Sequence, residues 1–195
     1  NENEWYHIAA VREGTGTNQT KLYVNGTLLG QGTASQSITA DQLLIGALNW
    51  GANYGLNGFM SNFRVSTTAR YTAAFTPSTS PLTSDSDTIL LTCASNRFID
   101  KKNSVRATYN GQATVVPVSP FLLQNKQDFD TKGSIYFDGV DDWLKWNENA
   151  AFQLGSGEFT VETWVWAGHG TPIRDYWAAF MALNGDGISQ DALTF

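Results

Sequence analysis

An Asn-Gly pair between two short apolar runs is the feature that most constrains the fold of this chain. Asn25 and Gly26 separate residues 21–24 from residues 27–30, and both runs favour β-structure. A two-residue type I′ turn needs positive φ at both central positions, and Asn and Gly accept that conformation most readily. The sequence therefore predicts a tight β-hairpin, with this part of the chain in an antiparallel sheet.

Similar runs, separated by Gly, Asn and Pro, continue along the chain and predict further strands. They lie at residues 5–12, 42–46, 58–65, 88–94, 134–137, 143–146, 159–166 and 177–183. None of them shows a long 3.6-residue periodicity, and Gly or Asn interrupts every candidate helix. We expect an all-β protein, an antiparallel β-sandwich of two packed sheets.

The run at residues 58–65 alternates with a period of two, which is typical of a strand with one buried face. One predicted side consists of Phe59, Ser61, Phe63 and Val65, and the other of Met60, Asn62 and Arg64. One of these two sides is expected to face the core.

Charge and composition exclude several classes of partner. The formal net charge is −6 and the 12 Lys and Arg residues are scattered, whereas phosphate binding uses clustered positive charge, so we expect no nucleic-acid partner. We expect no membrane partner either, because no apolar run approaches the roughly 20 residues that cross a bilayer. The single cysteine, Cys93, lies in an apolar run and is expected to be a buried free thiol.

Changes in composition divide the chain into three segments. Pro, Ser, Thr and Asp dominate residues 76–87 and predict the end of a folded unit near residue 83. A connector with a small β-hairpin around Asn110 and Gly111 is predicted for residues 84–132, and new strands begin at residue 133. Both ends of the chain fall within strand-like runs, so we expect an excerpt of a longer sequence.

Two groups of motifs resemble a known family. The later group comprises residues 133–139 (GSIYFDG), 142–144 (DWL) and 155–165 (GSGEFTVETWV). The earlier group comprises residues 5–9 (WYHIA), 22–26 (LYVNG), 44–46 (LIG) and 57–65 (NGFMSNFRV). The later group is similar to the opening strands of laminin-G-like, concanavalin-A-like domains, and the earlier group is similar to their closing half.

The reversed order of the two halves implies parts of two tandem repeats. Residues 1–83 would be the C-terminal half of one laminin-G-like repeat, residues 84–132 the connector, and residues 133–195 the N-terminal half of the next repeat. Alternatively, residues 133–195 pack on residues 1–83 as a permuted single domain, or on a neighbouring chain in a swapped one, because half a sandwich leaves strand edges and an apolar face exposed.

A second resemblance concerns the segments between the two halves. Residues 70–77 (RYTAAFTP), 90–100 (LLTCASNRFID) and 119–121 (SPF) are similar to connectors in multi-repeat virion structural proteins of tailed bacteriophages, particularly marine ones. This resemblance implies a virion structural or decoration module that contacts other virion proteins or copies of itself, at the virion surface or outside the cell. The second hypothesis is a carbohydrate-binding adhesin for host glycans, and the third is an extracellular eukaryotic module, which the lack of a disulfide disfavours.

The acidic residues predict no catalytic site. A glycosidase of this fold needs two carboxylates about 5–10 Å apart, which on a strand give alternating acids, and no such run occurs in the sequence. Glu158 and Glu162 flank a predicted strand, but they are interpreted as a solvated edge residue and a strand residue with a local partner. His7 and His169 have no acidic or nucleophilic neighbour at a useful spacing, so we expect no enzyme.

Asp138, Asp141 and Asp142 form the one dense acidic group in the sequence. The resemblance implies a calcium site at the sandwich rim, and carboxylate oxygens suit Ca²⁺. The preferred interpretation is a turn at Asp138 and Gly139, in which the Asp side chain binds its own backbone. Apart from Ca²⁺, no cofactor is expected.

The loop at residues 49–57 is the candidate glycan site that the resemblance implies. Trp50 and Tyr54 offer flat apolar faces, and Asn53 and Asn57 offer amides that hydrogen-bond hydroxyl groups. The alternative is that both rings fold back to cap the core or pack on a neighbouring repeat. The other tryptophans lie in predicted strands and are expected to serve core or interface packing.

Overall fold

Strands account for nearly all of the regular structure. The computed structural model describes residues 4–39, 42–47, 55–103, 105–146, 150–167 and 181–184. The strands are β1 (Trp5–Arg12), β2 (Thr20–Val24), β3 (Thr27–Gly32), β4 (Gln42–Ile45), β5 (Asn57–Ser66), β6 (Thr88–Thr92), β7 (Thr108–Asn110), β8 (Thr114–Val116), β9 (Ser134–Asp138), β10 (Trp143–Trp146), β11 (Phe159–Ala167) and β12 (Met181–Asn184). One α-helix, α1, covers Phe129–Lys132, and 3₁₀ turns cover Lys126–Asp128 and Ala150–Phe152. The predicted all-β class is confirmed.

The strands form two antiparallel sheets with an apolar core between them. The larger sheet has the order β3-β2-β1-β11-β5-β9-β8, with β6 also paired to β5, and the smaller sheet has the order β12-β4-β10-β7. The core includes Leu43, Ile45 and Leu144 from the smaller sheet and Phe63, Val65, Ile135, Phe137 and Val161 from the larger one. This arrangement is the predicted sandwich.

The predicted hairpin connects β2 and β3. Asn25 has a φ of 48° and Gly26 a φ of 77°, so both central residues adopt the left-handed conformation that the turn needs. The Asn25 side-chain oxygen accepts a 2.8 Å hydrogen bond from the His7 backbone N–H, and the Gly26 carbonyl accepts one of 2.9 Å from Phe75. The hairpin corner is therefore bound both to β1 and to the chain that follows β5.

β5 does not keep the predicted alternation over its whole length. Asn62 has a φ of 55°, and the pairing with β11 shifts register nearby. As a result Met60 and Phe63 both lie in the core, whereas Phe59 packs against aromatic rings of β9 and β11 on the other face. The prediction that Phe59 and Phe63 share a face is wrong, because an irregular residue displaces the alternation by one position.

Strands of the predicted later unit pair with strands of the predicted earlier unit. β11 lies between β1 and β5, and all eight residues of β1 are in register with it, with Ala9 opposite Glu162. β9 pairs with the first half of β5. Among the alternatives left open by the sequence, the structure therefore has the two segments packed together. Their assignment to two successive repeats stays a prediction, because pairing within one chain does not reveal the origin of each segment.

The strands around Asn110 and Gly111 belong to different sheets. β7 pairs with β10 in the smaller sheet, and β8 pairs with β9 in the larger sheet. The predicted hairpin is therefore wrong, and the turn connects the two sheets instead. Two strands of three residues make a marginal hairpin in water, whereas each of them adds to an existing sheet in the arrangement observed.

Irregular chain covers the outer face of the larger sheet. Tyr71 and Phe75 stack with ring centroids 3.6 Å apart and pack over Ala9 and Val11 of β1. We call residues 67–83, which include both rings, the outer segment. Polar side chains on this face of the sheet are consequently enclosed between the sheet and the outer segment.

Cys93 lies directly after β6 and is fully buried and free, as predicted. Its φ of 54° ends the strand, and its carbonyl accepts a 2.9 Å hydrogen bond from the Asn62 backbone N–H. Burial raises the pKa of the thiol, so this side chain serves packing rather than thiolate chemistry.

Candidate functional site

A carboxylate on β11 is at the centre of a buried polar cluster under the outer segment. Glu162 is fully enclosed, and its Oε1 atom accepts hydrogen bonds of 2.8 and 2.5 Å from Nε and Nη2 of Arg64. Its Oε2 atom accepts a 2.7 Å hydrogen bond from the Tyr71 hydroxyl and lies 3.2 Å from His7 Nε2. We call these four residues the Glu162 cluster.

The electrostatics of the Glu162 cluster favour a charged carboxylate beside a neutral phenol. Burial by itself raises the pKa of Glu162, but the hydrogen bond from His7, the charge of Arg64 and the hydrogen bond from Tyr71 outweigh it, so the pKa is lowered. Burial and the Glu162 charge raise the pKa of Tyr71. The hydrogen bonds of the carboxylate link β1, β5 and β11 with the outer segment. Because the carboxylate has no exposed surface, it offers no contact to a substrate.

Sequence reasoning missed the partners of this carboxylate. Glu162 does have partners close in space, with Arg64 directly opposite it on β5, but the sequence could not identify them because they are 91 to 155 positions away. His7 has no acidic neighbour in sequence but has one in space. Glu158 is exposed, and its carboxylate accepts a 3.3 Å hydrogen bond from the Ala69 backbone N–H. The two glutamates therefore do not face one open cleft.

The predicted acidic group does assemble at the rim. Asp138, Asp141 and Asp142 each place a carboxylate oxygen within 4.8 Å of the others. The Asp138 side chain accepts a 2.8 Å hydrogen bond from the Val140 backbone N–H, which confirms the predicted turn. Asp142 is buried and accepts backbone N–H groups of Asp138, at 2.7 Å, and of Gln112.

The donor set of this acidic group suits Ca²⁺ in chemical type, since hard oxygen ligands are what Ca²⁺ prefers. Both oxygens of Asp142 already accept backbone hydrogen bonds, whereas Asp141 is exposed. Burial raises the pKa of Asp142, so the charged carboxylate that a cation would bind is less favoured there than in water. Calcium binding by the three aspartates stays a prediction.

The predicted glycan loop lies largely outside the described residues, which do not include Trp50, Asn53 and Tyr54. Asn57, its last member, begins β5 and pairs opposite Asp138. The structure therefore brings one predicted glycan contact next to the acidic group at the same rim. Sugar binding by this loop stays a prediction.

A second aromatic site was not predicted. A cleft of ≈ 390 Å³, here called the Trp164 cleft, opens at the outer segment and has no charged side chain in its lining. It is lined by Trp5, Asn25, Pro77, Ser78, Thr79, Pro120, Phe121, Leu122 and Trp164. The indole Nε1 of Trp164 is buried and has no hydrogen-bond partner among the described residues. Packing was expected for Trp5 and Trp164, and no local signal places them together, because the cleft is built from five separate parts of the chain.

The fold defines the structural class of the chain, an antiparallel β-sandwich. Residues 1–74, which contain β1 to β5, match a family model described as the concanavalin A-like lectin/glucanases superfamily. No curated protein and no solved structure matches the chain. In the part of the chain that the structure describes, no helix has the length and apolar character to span a membrane.

Proposed function

We propose that this chain is a non-enzymatic structural or decoration module of a bacteriophage virion. Its sandwich binds other virion proteins or copies of itself, at the virion surface or another extracellular location. The resemblance of residues 70–77, 90–100 and 119–121 to phage connectors supports this role. The enclosed Glu162 supports a binding function rather than hydrolysis, because the carboxylate is committed to internal hydrogen bonds.

The observation that carries this proposal is the open end of the larger sheet. β3 is the terminal strand of that sheet in the described residues and pairs with β2 alone. All six of its residues are exposed, and Leu28 and Leu29 are 40% and 69% exposed. An edge strand with free backbone groups and exposed leucines is a template for pairing with another protein.

Reconstitution on the parent virion tests this proposal. Leu29→Lys places a charge on the edge strand, and we expect it to weaken binding to particles depleted of the module at least tenfold, or about 1.4 kcal/mol. Val140→Lys is the control, since Val140 is 58% exposed and lies away from β3. Co-sedimentation measures both, and equal binding of Leu29→Lys and the wild type would contradict the proposal.

Carbohydrate binding is the second candidate, and the Trp164 cleft is the observation that favours it. The rings of Trp5 and Trp164 can pack on the apolar face of a sugar, and Asn25, Ser78 and Thr79 can hydrogen-bond its hydroxyl groups. The uncharged lining suits a neutral sugar.

A glycan array on the whole chain separates the cleft from the predicted loop. We expect Trp5→Ala and Trp164→Ala each to abolish the signal, since each change removes one of the two tryptophan rings that line the cleft. Trp50→Ala is the matched control and should retain it. A signal that survives both cleft variants and is lost in Trp50→Ala would instead assign sugar binding to residues 49–57.

A further inference from the structure

Three long stretches of this acidic chain carry no charged side chain. The sequence has 18 Asp and Glu residues against 12 Lys and Arg residues, yet residues 22–40, 71–84 and 107–125 contain none of these four types. All three stretches contribute to the lining of the Trp164 cleft. Two copies that each have a net charge of −6 repel one another, so they approach most easily where neither copy is charged.

The wall of the Trp164 cleft presents apolar surface. Trp5, Pro77, Pro120 and Trp164 are partly exposed, and Leu122 is 75% exposed. Aromatic and apolar side chains without charge are typical of the centre of a protein–protein interface. The cleft volume of ≈ 390 Å³ has room for aliphatic side chains but not for a folded element.

The chain itself carries two exposed leucines on β3. Leu28 and Leu29 are 40% and 69% exposed. The register with β2 shifts at this point, because Tyr23 pairs with Leu28 and Leu22 pairs with Gly30. Leu29 therefore has no partner on β2, and the bulge that it forms redirects its side chain. Exposed leucines of this kind are available to an apolar cleft on another molecule.

The leucines lie close enough to the cleft for a symmetric contact between two copies. Asn25, which lines the cleft, is only four positions before Leu29, and four residues of chain span at most about 14 Å. A two-fold axis between the leucines and the cleft would place the leucines of each copy against the cleft of the other. Such a contact is closed and buries two equivalent patches at once.

We infer that this chain forms a two-fold dimer in which Leu28 and Leu29 of each copy pack into the Trp164 cleft of the other copy. The inference rests on the proposed function, since it names a second copy as the partner of β3. Packing of the leucines removes apolar surface of the cleft and of β3 from water, which favours association. The cleft lining and β3 are uncharged, so neither contributes a charge to the contact.

Sedimentation velocity of the intact chain over a range of concentrations tests the dimer. We expect a reversible monomer–dimer equilibrium, which Leu29→Lys and Leu122→Glu should each weaken at least tenfold, because each change buries a charge in an apolar contact. Both leucines are mostly exposed in the single chain, so the monomer should stay folded, as circular dichroism can verify. A chain that is monomeric at every concentration, or variants that dimerise like the wild type, would overturn the inference.

A mixture of the two variants tests whether the leucines meet the cleft. In a mixed dimer one of the two contacts is entirely wild type, and the introduced charges in the other contact are opposite in sign. We therefore expect the mixture to dimerise more tightly than either variant alone. A mixture that associates no better than its components would refute the assignment of the leucines to the cleft.

Val105→Lys is the matched control for Leu29→Lys. Val105 is 51% exposed and precedes β7 of the smaller sheet, so the variant should dimerise like the wild type. Loss of the dimer in this variant would place the interface elsewhere and overturn the inference.

The particle and glycan experiments separate this inference from the proposed function. A monomeric chain that still binds depleted particles would refute the dimer and retain the virion role. A dimer that does not bind particles would retain the dimer and refute that role. A monomeric chain in which Leu122→Glu removes a glycan signal would assign the cleft to a sugar and overturn the dimer.

Discussion

The Glu162 cluster shows how buried charges act at the level of single residues. A buried ion pair gains little net stability over an apolar packing, but removal of one partner leaves the other charge uncompensated. Arg64 is 7% exposed, and the Glu162 carboxylate neutralises its positive charge. Its Nη1 donates a further hydrogen bond to the Thr83 carbonyl. The cluster therefore links β5, β11 and the outer segment through one buried charge.

We predict that Glu162→Gln destabilises the protein by about 3 kcal/mol, because it leaves the Arg64 guanidinium buried without a counter-charge. Urea denaturation followed by circular dichroism measures the change. Glu158→Gln is the matched control directly before β11. It should leave the urea midpoint of unfolding unchanged, since Glu158 is exposed. A Glu162→Gln protein as stable as the wild type would show that the cluster is not coupled to folding.

The cluster also predicts a dependence on acid. The pKa of Glu162 is lowered in the folded protein, so its contribution is complete above the ordinary glutamate value of about 4.3 and is lost as the pH falls through the folded value. We expect the free energy of unfolding to decrease in that range and the decrease to be smaller in Glu162→Gln. Parallel profiles for the two proteins would contradict this.

At the level of elements, the outer segment acts as a third layer. Its two stacked rings cover β1 and β2, and the backbone N–H of Phe75 donates to the Gly26 carbonyl. The Tyr71 hydroxyl reaches Glu162 from the same layer. A segment without regular structure is thus held by aromatic packing on one side and by the buried carboxylate on the other.

We predict that Phe75→Ala costs about 2 kcal/mol, because it removes the partner of the Tyr71 ring stack and exposes apolar surface of β1. Limited proteolysis should then cut the outer segment faster than in the wild type. Thr76→Ala, at an exposed neighbouring position, should have neither effect. Unchanged cleavage in Phe75→Ala would mean that other contacts hold the segment.

At the level of the whole molecule, the two segments of the chain depend on each other. β1 and β5 do not pair directly in the larger sheet, since β11 lies between them. The smaller sheet likewise needs β10 to join β4 with β7. In the larger sheet β9 also joins β5 with β8. Residues 1–132 by themselves would therefore leave three gaps, where β9, β10 and β11 are missing.

We predict that residues 1–132 alone show no cooperative thermal unfolding, and that residues 133–195 added in trans restore it. Loss of the central strand leaves the edges of β1 and β5 unpaired and their apolar face open. Circular dichroism and calorimetry of the fragment, the mixture and the intact chain measure this. A fragment that unfolds cooperatively alone would show that the earlier segment does not need the later one.

Local chemistry determined the features that could be predicted from the sequence. The φ preferences of Asn25 and Gly26 define the hairpin, the Asp138 side chain defines its own turn, and the run around Cys93 defines a buried strand. Each of these depends on residues within a few positions of one another. The family resemblance adds the sandwich class, since the spacing of many such runs together is more specific than any one of them.

Only the tertiary structure decided which distant residues meet. Pairing with β10 and β9 separates β7 from β8, and the irregularity at Asn62 moves Phe59 away from the core. The partners of Glu162, up to 155 positions away, and the assembly of the Trp164 cleft follow from the insertion of β11 between β1 and β5. Strand order and register result from competition among many similar apolar strands for the same edges, and that competition is settled by packing of the whole chain rather than by any local pattern.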